Sequence, residues 1–242
     1  MNIFFLICLF CQSLFSMNHK QVEHADSIDS WHPLFRDGNY QYVIEDSLVP
    51  ASDIFSFQNG RIDAMHDWPD QKEAPIGMII TNKKYSSYNL ELEFKFGKRS
   101  FKPRLHQKKD AGLLFHAVTT KIVWPPALEY QIQEGDCGDL WVLLGVHCEI
   151  KHEGEIKNIA YEDYSRSVKF INAQKPGWNK VRLEVRGDHA RYYLNGKLVN
   201  EIVNATYNGK TLNSGRIALQ AEYAEISYRN VRILEVDNQG KY

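Results

Sequence analysis

Residues 89–96 read NLELEFKF, an unbroken alternation of polar and apolar side chains. Successive side chains of an extended strand point to opposite faces, so this segment must present one apolar and one charged surface. A helix would scatter the same residues around its circumference. The pattern returns in Val181–Val185 (VRLEV), which a turn at Arg186–His189 joins to Ala190–Leu194 (ARYYL). That run meets Asn195-Gly196, the favoured two-residue hairpin turn, and Lys197–Val203 forms the return strand. Arg216–Gln220 and Ile226–Val236 complete the series. No stretch offers a long apolar period of 3.6 with caps at both ends, so many short strands with turns between them predict an all-β sandwich or barrel. The polar stretch Lys151–Ala173 fits no element and reads as a long loop over one edge. There is no internal repeat and no linker rich in Pro, Gly or Ser. A single domain over residues 31–238 is therefore expected, after a polar segment at 17–30.

The first residues carry a different signal. Ile3–Phe15 (IFFLICLFCQSLF) is too short to span a bilayer, which takes ~20 residues, and long enough for the core of a signal peptide. Cleavage near Ser16 would make residues 1–16 a leader and the protein exported, periplasmic or extracellular. Cys11 is the candidate if the leader instead ends in a lipid anchor on the outer membrane. Removal of the leader takes Cys8 and Cys11 with it, leaving Cys137 and Cys148 either as a disulfide or as two buried thiols. The formal net charge is −1, from 29 basic and 30 acidic side chains. No field of that size collects nucleic acid, and no basic run is interleaved with aromatics.

Chemistry is most concentrated between Asp110 and Leu144. Read as three strands, Ala111–Val118 sends Leu114 and His116 to one side, and Ala127–Gln133 sends Glu129, Gln131 and Gln133 to one side. Asp139–Leu143 turns Asp139, Trp141 and Leu143 outward. Neighbouring strands would then gather His116, Glu129, Gln131, Asp139 and Trp141 on one face, with a glycine-rich turn at Gly135–Gly138. Such a mixture suits sugars, because an aromatic ring covers the apolar face of a pyranose while amides and carboxylates bond its hydroxyls. Trp124, before Pro125-Pro126, could add a second platform at the rim, and His66 could reach the rim from its own loop. Each residue also has an ordinary structural reading, as a solvated strand face or a core aromatic. Their convergence favours a site.

These residues also carry a resemblance. Asp110–His116 (DAGLLFH) resembles the "NSG-hydrophobic-F" strand of the bacterial 3-keto-disaccharide hydrolase domain family, and Glu129–Ile132 its "YE-x-Q-I" strand. Gly138-Asp139-Leu140-Trp141 is similar to the "GD-aromatic" element found in variants of it. Pro176–Val181, Tyr193–Lys197, Ser214–Gln220 and Tyr228–Ile233 resemble later motifs in the right order, so the likeness runs from about Trp31 to Val236. It implies a two-sheet antiparallel jelly roll of the concanavalin A-like lectin/glucanase type. It further implies action on glycosides oxidised at C3, as a 3-keto-glucoside 1,2-lyase or a 3-keto-2-hydroxyglucal hydratase. On that reading His116 or Glu129 removes the C2 proton, Gln131 and Gln133 bond hydroxyls, Asp139 is an acid, and Trp141 stacks on the sugar. Alternatively, His116, Glu129 and Asp139 hold a divalent cation that polarises the C3 oxygen. The cofactor is otherwise unknown, and the expected partner is a saccharide or glycoside. Two rivals stand beside this reading. One is a hydrolase of ordinary glucans, for which the run Glu129–Glu134 supplies carboxylates with an amide at Gln131. The other is a carbohydrate-binding module without catalysis.

Overall fold

The computed structural model describes residues 30–36, 38–160 and 164–237. The leader, its cleavage site and Cys11 lie outside the described residues, as does all of the 17–30 segment except Ser30. In chain order the elements are β1 (His32–Pro33), β2 (Tyr40–Ile44), α1 (Ala51–Ile54), β3 (Phe55–Gln58), β4 (Arg61–Ala64), β5 (Ile76–Thr81) and β6 (Ser87–Ser100). There follow β7 (Asp110–Ala117), β8 (Ala127–Gln133), β9 (Leu140–Leu143), β10 (Val146–His152), β11 (Glu155–Ala160) and β12 (Tyr164–Ser167). The last are β13 (Asn179–Arg186), β14 (His189–Leu194), β15 (Lys197–Tyr207), β16 (Lys210–Thr211), β17 (Arg216–Glu222) and β18 (Ala224–Glu235).

The strands form two antiparallel sheets. One has 11 strands along the path β11-β10-β15-β14-β13-β6-β18-β4-β3, with β1 beside β18 and β16 beside β15. The other has 7, ordered β12-β9-β8-β7-β17-β5-β2. β6 behaves as its alternation requires. Leu90, Leu92 and Phe94 are buried between the sheets, while Glu91 pairs with Arg232 and Lys180 and Glu93 pairs with Arg229 on the opposite face. Cross-strand charges of opposite sign thus replace an apolar outer surface. At Asn195-Gly196 both residues have positive φ (50° and 82°), as the expected hairpin turn needs.

Residues 151–173 are not the loop the sequence suggested. β11 pairs with β10, and β12 pairs with β9, each at the edge of its sheet. An edge strand does not need an apolar stripe on either face, so its sequence shows no period. The two cysteines are buried as separate thiols. Burial pushes the Cys148 thiol up to about 12, which leaves it protonated and unreactive.

A bulge in β7 decides where His116 goes. Arg216 pairs with Ala117 and Ala218 with Leu114, so Phe115 and His116 together oppose one residue of β17. His116 takes up the extra residue with φ of 53°. Leu114 and Ala117 consequently fall in one apolar cluster, on the outer side of the smaller sheet. His116 leaves that side, and its Nε2 lies 2.8 Å from the carbonyl oxygen of Gly187, in the β13–β14 turn of the larger sheet. Burial pushes the imidazole down to about 4, so it is neutral near pH 7. An unfolded histidine titrates near ~6.5, so the neutral ring stabilises the fold fully above that pH and its contribution fades as pH falls toward 4. His116→Ala should destabilise the protein by about 1–3 kcal/mol at pH 7.5 through the orphaned Gly187 carbonyl. Urea melts should show that gap narrowing toward pH 4.5; a gap independent of pH would show that the fold does not lower the His116 pKa.

A candidate active cleft on the smaller sheet

The outer face of the smaller sheet is built from residues that alternate with its core. Leu128, Tyr130 and Ile132 of β8 enter the core, which turns Glu129, Gln131 and Gln133 outward. On β9, Leu140 and Val142 go inward and Trp141 outward. On β17, Ile217, Leu219 and Ala221 are core, so Gln220 and Glu222 join the outer face. Pairing sets these side chains in rows: Trp141 beside Glu129, Gln131 beside Gly112, and Gln133 and Glu222 on either side of Asp110. The Trp124 segment and the Arg104 loop border the face, enclosing a cleft of about 280 Å3 that is also lined by Leu143.

β7 carries no side chain at the centre of this face, and side chains from its neighbours fill that space. A Cβ on Gly112 would stand 2.1 Å from Glu129 Oε1 and 2.4 Å from Gln220 Oε1. Glu129 therefore leans across β7, and its carboxyl group has no hydrogen-bond partner among the described residues. Burial pushes this carboxyl well above the usual carboxylate range, and the nearby Glu222 and Asp110 add to the shift. Asp110 is held on all sides, accepting from Gln131 Nε2 (3.1 Å), Gln133 Nε2 (2.6 Å) and the Ala111 amide (2.9 Å). Arg104 Nη1 lies 2.8 Å from Asp110 Oδ2 and 2.8 Å from Glu222 Oε1. Burial raises both carboxyls, that of Glu222 to about 8, with Asp110 raising Glu222 further and Arg104 opposing the rise in both.

The wall is incompletely bonded. Among the described residues, Gln131 Oε1 and Trp141 Nε1 in the wall are buried without a partner, as are both polar atoms of the Gln220 amide, which is fully buried and does not line the cleft. Unpartnered buried polar atoms are rare and costly. Four hollows elsewhere are larger, at 640, 590, 620 and 340 Å3. They have a different character. In the first, Arg191 is paired with Glu201; in the second, Lys98 and Lys175 are exposed; in the third, Glu153 and Glu155 are exposed; the fourth is lined by no carboxyl. None contains a buried unpaired carboxyl.

Residues 17–234 match the family model of the 3-keto-alpha-glucoside-1,2-lyase-like domain. The chain belongs to that family. The 3-keto-alpha-glucoside-1,2-lyase-like domain is a concanavalin A-like jelly roll, and membership places the chain among carbohydrate-active proteins. Among solved structures it is similar to a candidate glycosyl hydrolase from Parabacteroides distasonis, with 20% identity over 86% of this chain and 100% of that one and a TM-score of 0.55. It is also similar to a protein described with endo-acting O-glycanases of human gut bacteria, with 9% identity over 88% and 98% of the two chains and a TM-score of 0.52. At these identities the likeness concerns the fold. No curated protein matches the sequence.

Within this lyase-like domain the sequence-predicted residues divide. Glu129, Gln131, Trp141 and Trp124 line the cleft, and Gln133 stands beside it, holding Asp110. Three do not. His116 is removed by the bulge in β7. Asp139 precedes β9 rather than alternating within it, and its fully buried carboxylate is bonded by Arg166 Nε at 2.7 Å and Lys169 Nζ at 3.3 Å. His66 follows β4 of the larger sheet, with Nε2 3.2 Å from Ser227 Oγ and 3.7 Å from Asp63. His116, Glu129 and Asp139 therefore do not converge as ligands, and among the described residues no group of three His, Cys, Asp or Glu could hold a metal ion. Glu134, the second carboxylate of the glucanase-like run, is half exposed and pairs with Lys109 instead of entering the cleft. Sequence reasoning missed Arg104 and Glu222 as site residues. The polar position 222, alternating within RIALQAE, was the available signal for one of them.

Proposed function

We propose that this cleft acts on glycosides carrying a ketone at C3, with Glu129 as the proton-transfer group. The observation that carries the reading is a buried carboxyl without a partner, flanked by indole and amide groups, in a chain of this family. A C3 ketone acidifies the neighbouring C2–H. Ionised Glu129 takes that proton, C1=C2 forms, the C1–O bond breaks, and the proton departs on the aglycone oxygen. The products are the unsaturated 3-keto sugar and the free aglycone. Addition of water across C1=C2, oxygen to C1 and hydrogen to C2, completes a net hydrolysis. A carboxyl with a raised pKa suits the task, since it is a stronger base once ionised. Trp141 and Trp124 offer flat surfaces for the ring, and Gln131 offers hydrogen bonds to its hydroxyls.

Export belongs to the same proposal, resting on the apolar stretch Ile3–Phe15. Among the described residues no helix is long and apolar enough to cross a membrane. The test of function is incubation with methyl 3-keto-glucoside, following ultraviolet absorbance of the enone and release of methanol. Both should rise together. Sugar release from unoxidised laminarin, or glycan binding with no turnover of the keto substrate, would replace this reading with one of its rivals.

A further inference from the structure

Removal of a proton beside a ketone moves negative charge onto the carbonyl oxygen, and a catalyst must meet it there with a fixed donor. The described cleft contains one cation, Arg104. We propose that the Arg104 guanidinium binds the C3 oxygen and holds the enolate that forms there, an inference that rests on the 3-keto-glycoside reading above.

Three features support the role. First, the guanidinium is fixed. Nη1 is shared between Asp110 and Glu222 at 2.8 Å each, and the group lies over the Tyr223 ring with 5.3 Å to its centroid. A donor held before the reaction need not reorganise as charge appears. Second, it has hydrogens to spare. Nε and Nη2 bond to no described atom, and the side chain is 28% exposed on the cleft wall. Third, it lines the same cleft as the proposed base. Asp110 lies two residues along β7 from Gly112, and Glu129 leans over Gly112 toward that end. Base and cation thus share one cleft, as the adjacent C2–H and C3=O groups of a ketose ring require. The Trp141 Nε1 donor in the same wall is neutral, and charged donors bond roughly twice as strongly.

The step balances without a further reactant. Glu129 gains the C2 proton, the C2–H electron pair becomes C2=C3, and the carbonyl pair moves to the oxygen facing Arg104. Collapse of the enolate restores C3=O, forms C1=C2 and expels the C1 oxygen, which takes the proton from Glu129.

The experiment follows methyl 3-keto-glucoside in D2O, by NMR for H2 exchange and by ultraviolet absorbance for the enone. Arg104→Met should lower both rates about 10²–10³-fold, with KM changed far less. Methylguanidinium should restore part of the Arg104→Met rate, and Arg104→Lys should fall between the variant and the wild type. If Arg104→Met does not fold, because two buried carboxyls lose their counter-ion, Arg104→Met/Glu222→Gln carries the same test. Wild-type turnover with Arg104→Met affected only in KM would overturn the inference and leave the function standing. A wild-type protein silent in both signals would remove the function and the inference with it.

Discussion

Glu129→Gln should abolish turnover of a 3-keto-glucoside while the protein still folds. The loss expected for a positioned proton-transfer group is about 10²–10⁴-fold in kcat. The substitution keeps the side chain's volume over Gly112 and removes only its ability to ionise. Folding should hold or improve, because a carboxyl with no bonded partner in a buried cleft costs stability whenever it is charged. The pH profile adds a second check. A base acts ionised, so kcat/KM should climb with pH and level off only above the ordinary carboxylate range. The climb reflects the titration of Glu129 under the influence of the neighbouring Glu222 and Asp110, which hinder its ionisation, and Arg104, which faces them. Stopped assays from pH 5 to 9 would show it. A flat profile, or a Glu129→Gln variant within a few-fold of wild type, would take Glu129 out of the reaction.

Asp139→Asn should do the reverse. Asp139 stood among the sequence candidates for acid catalysis, yet its carboxylate receives Arg166 and both the backbone amide and the Nζ of Lys169. It ties the edge strand β12 and the segment after it to β9. The amide cannot neutralise Lys169, whose side chain is only 6% exposed. Removing one partner of a buried ion pair costs about 3–5 kcal/mol, and the lower end applies because Arg166 is one-third exposed and regains water. A loss near ~3 kcal/mol corresponds to roughly 6–12 °C in Tm for a protein of this size. Turnover measured well below the melt should stay close to wild type. A variant that melts with the wild type but has lost its activity would return Asp139 to the chemistry.

Side-chain alternation made much of this legible from residues alone. It assigns the two faces of β6, β8 and β13, and it puts Glu129, Gln131 and Trp141 together because their strands follow one another in the chain. It fails where local sequence carries no mark. The bulge at His116 depends on the register that β17 imposes from about a hundred residues away, and nothing in DAGLLFHA announces it. Glu222 reaches the cleft only because β17 lies against β7, a pairing remote in sequence. Arg104 arrives on a loop whose course depends on its bonds to Asp110 and Glu222. The edge strand β11 was missed for a related reason, since alternation reports burial and residues 155–158 are exposed.

Gly112 lets side chains from two strands that do not touch share one space on the sheet. Strands β8 and β17 are separated by β7, a gap of roughly 9.6 Å at ordinary strand spacing. Groups on them would normally be kept apart by whatever the middle strand raises between them. With hydrogen alone at residue 112, an acid from one side and an amide from the other lean into the same space. A methyl group at residue 112 would collide with both, so one substitution on the middle strand would rearrange the cleft while leaving the core packing beneath it untouched.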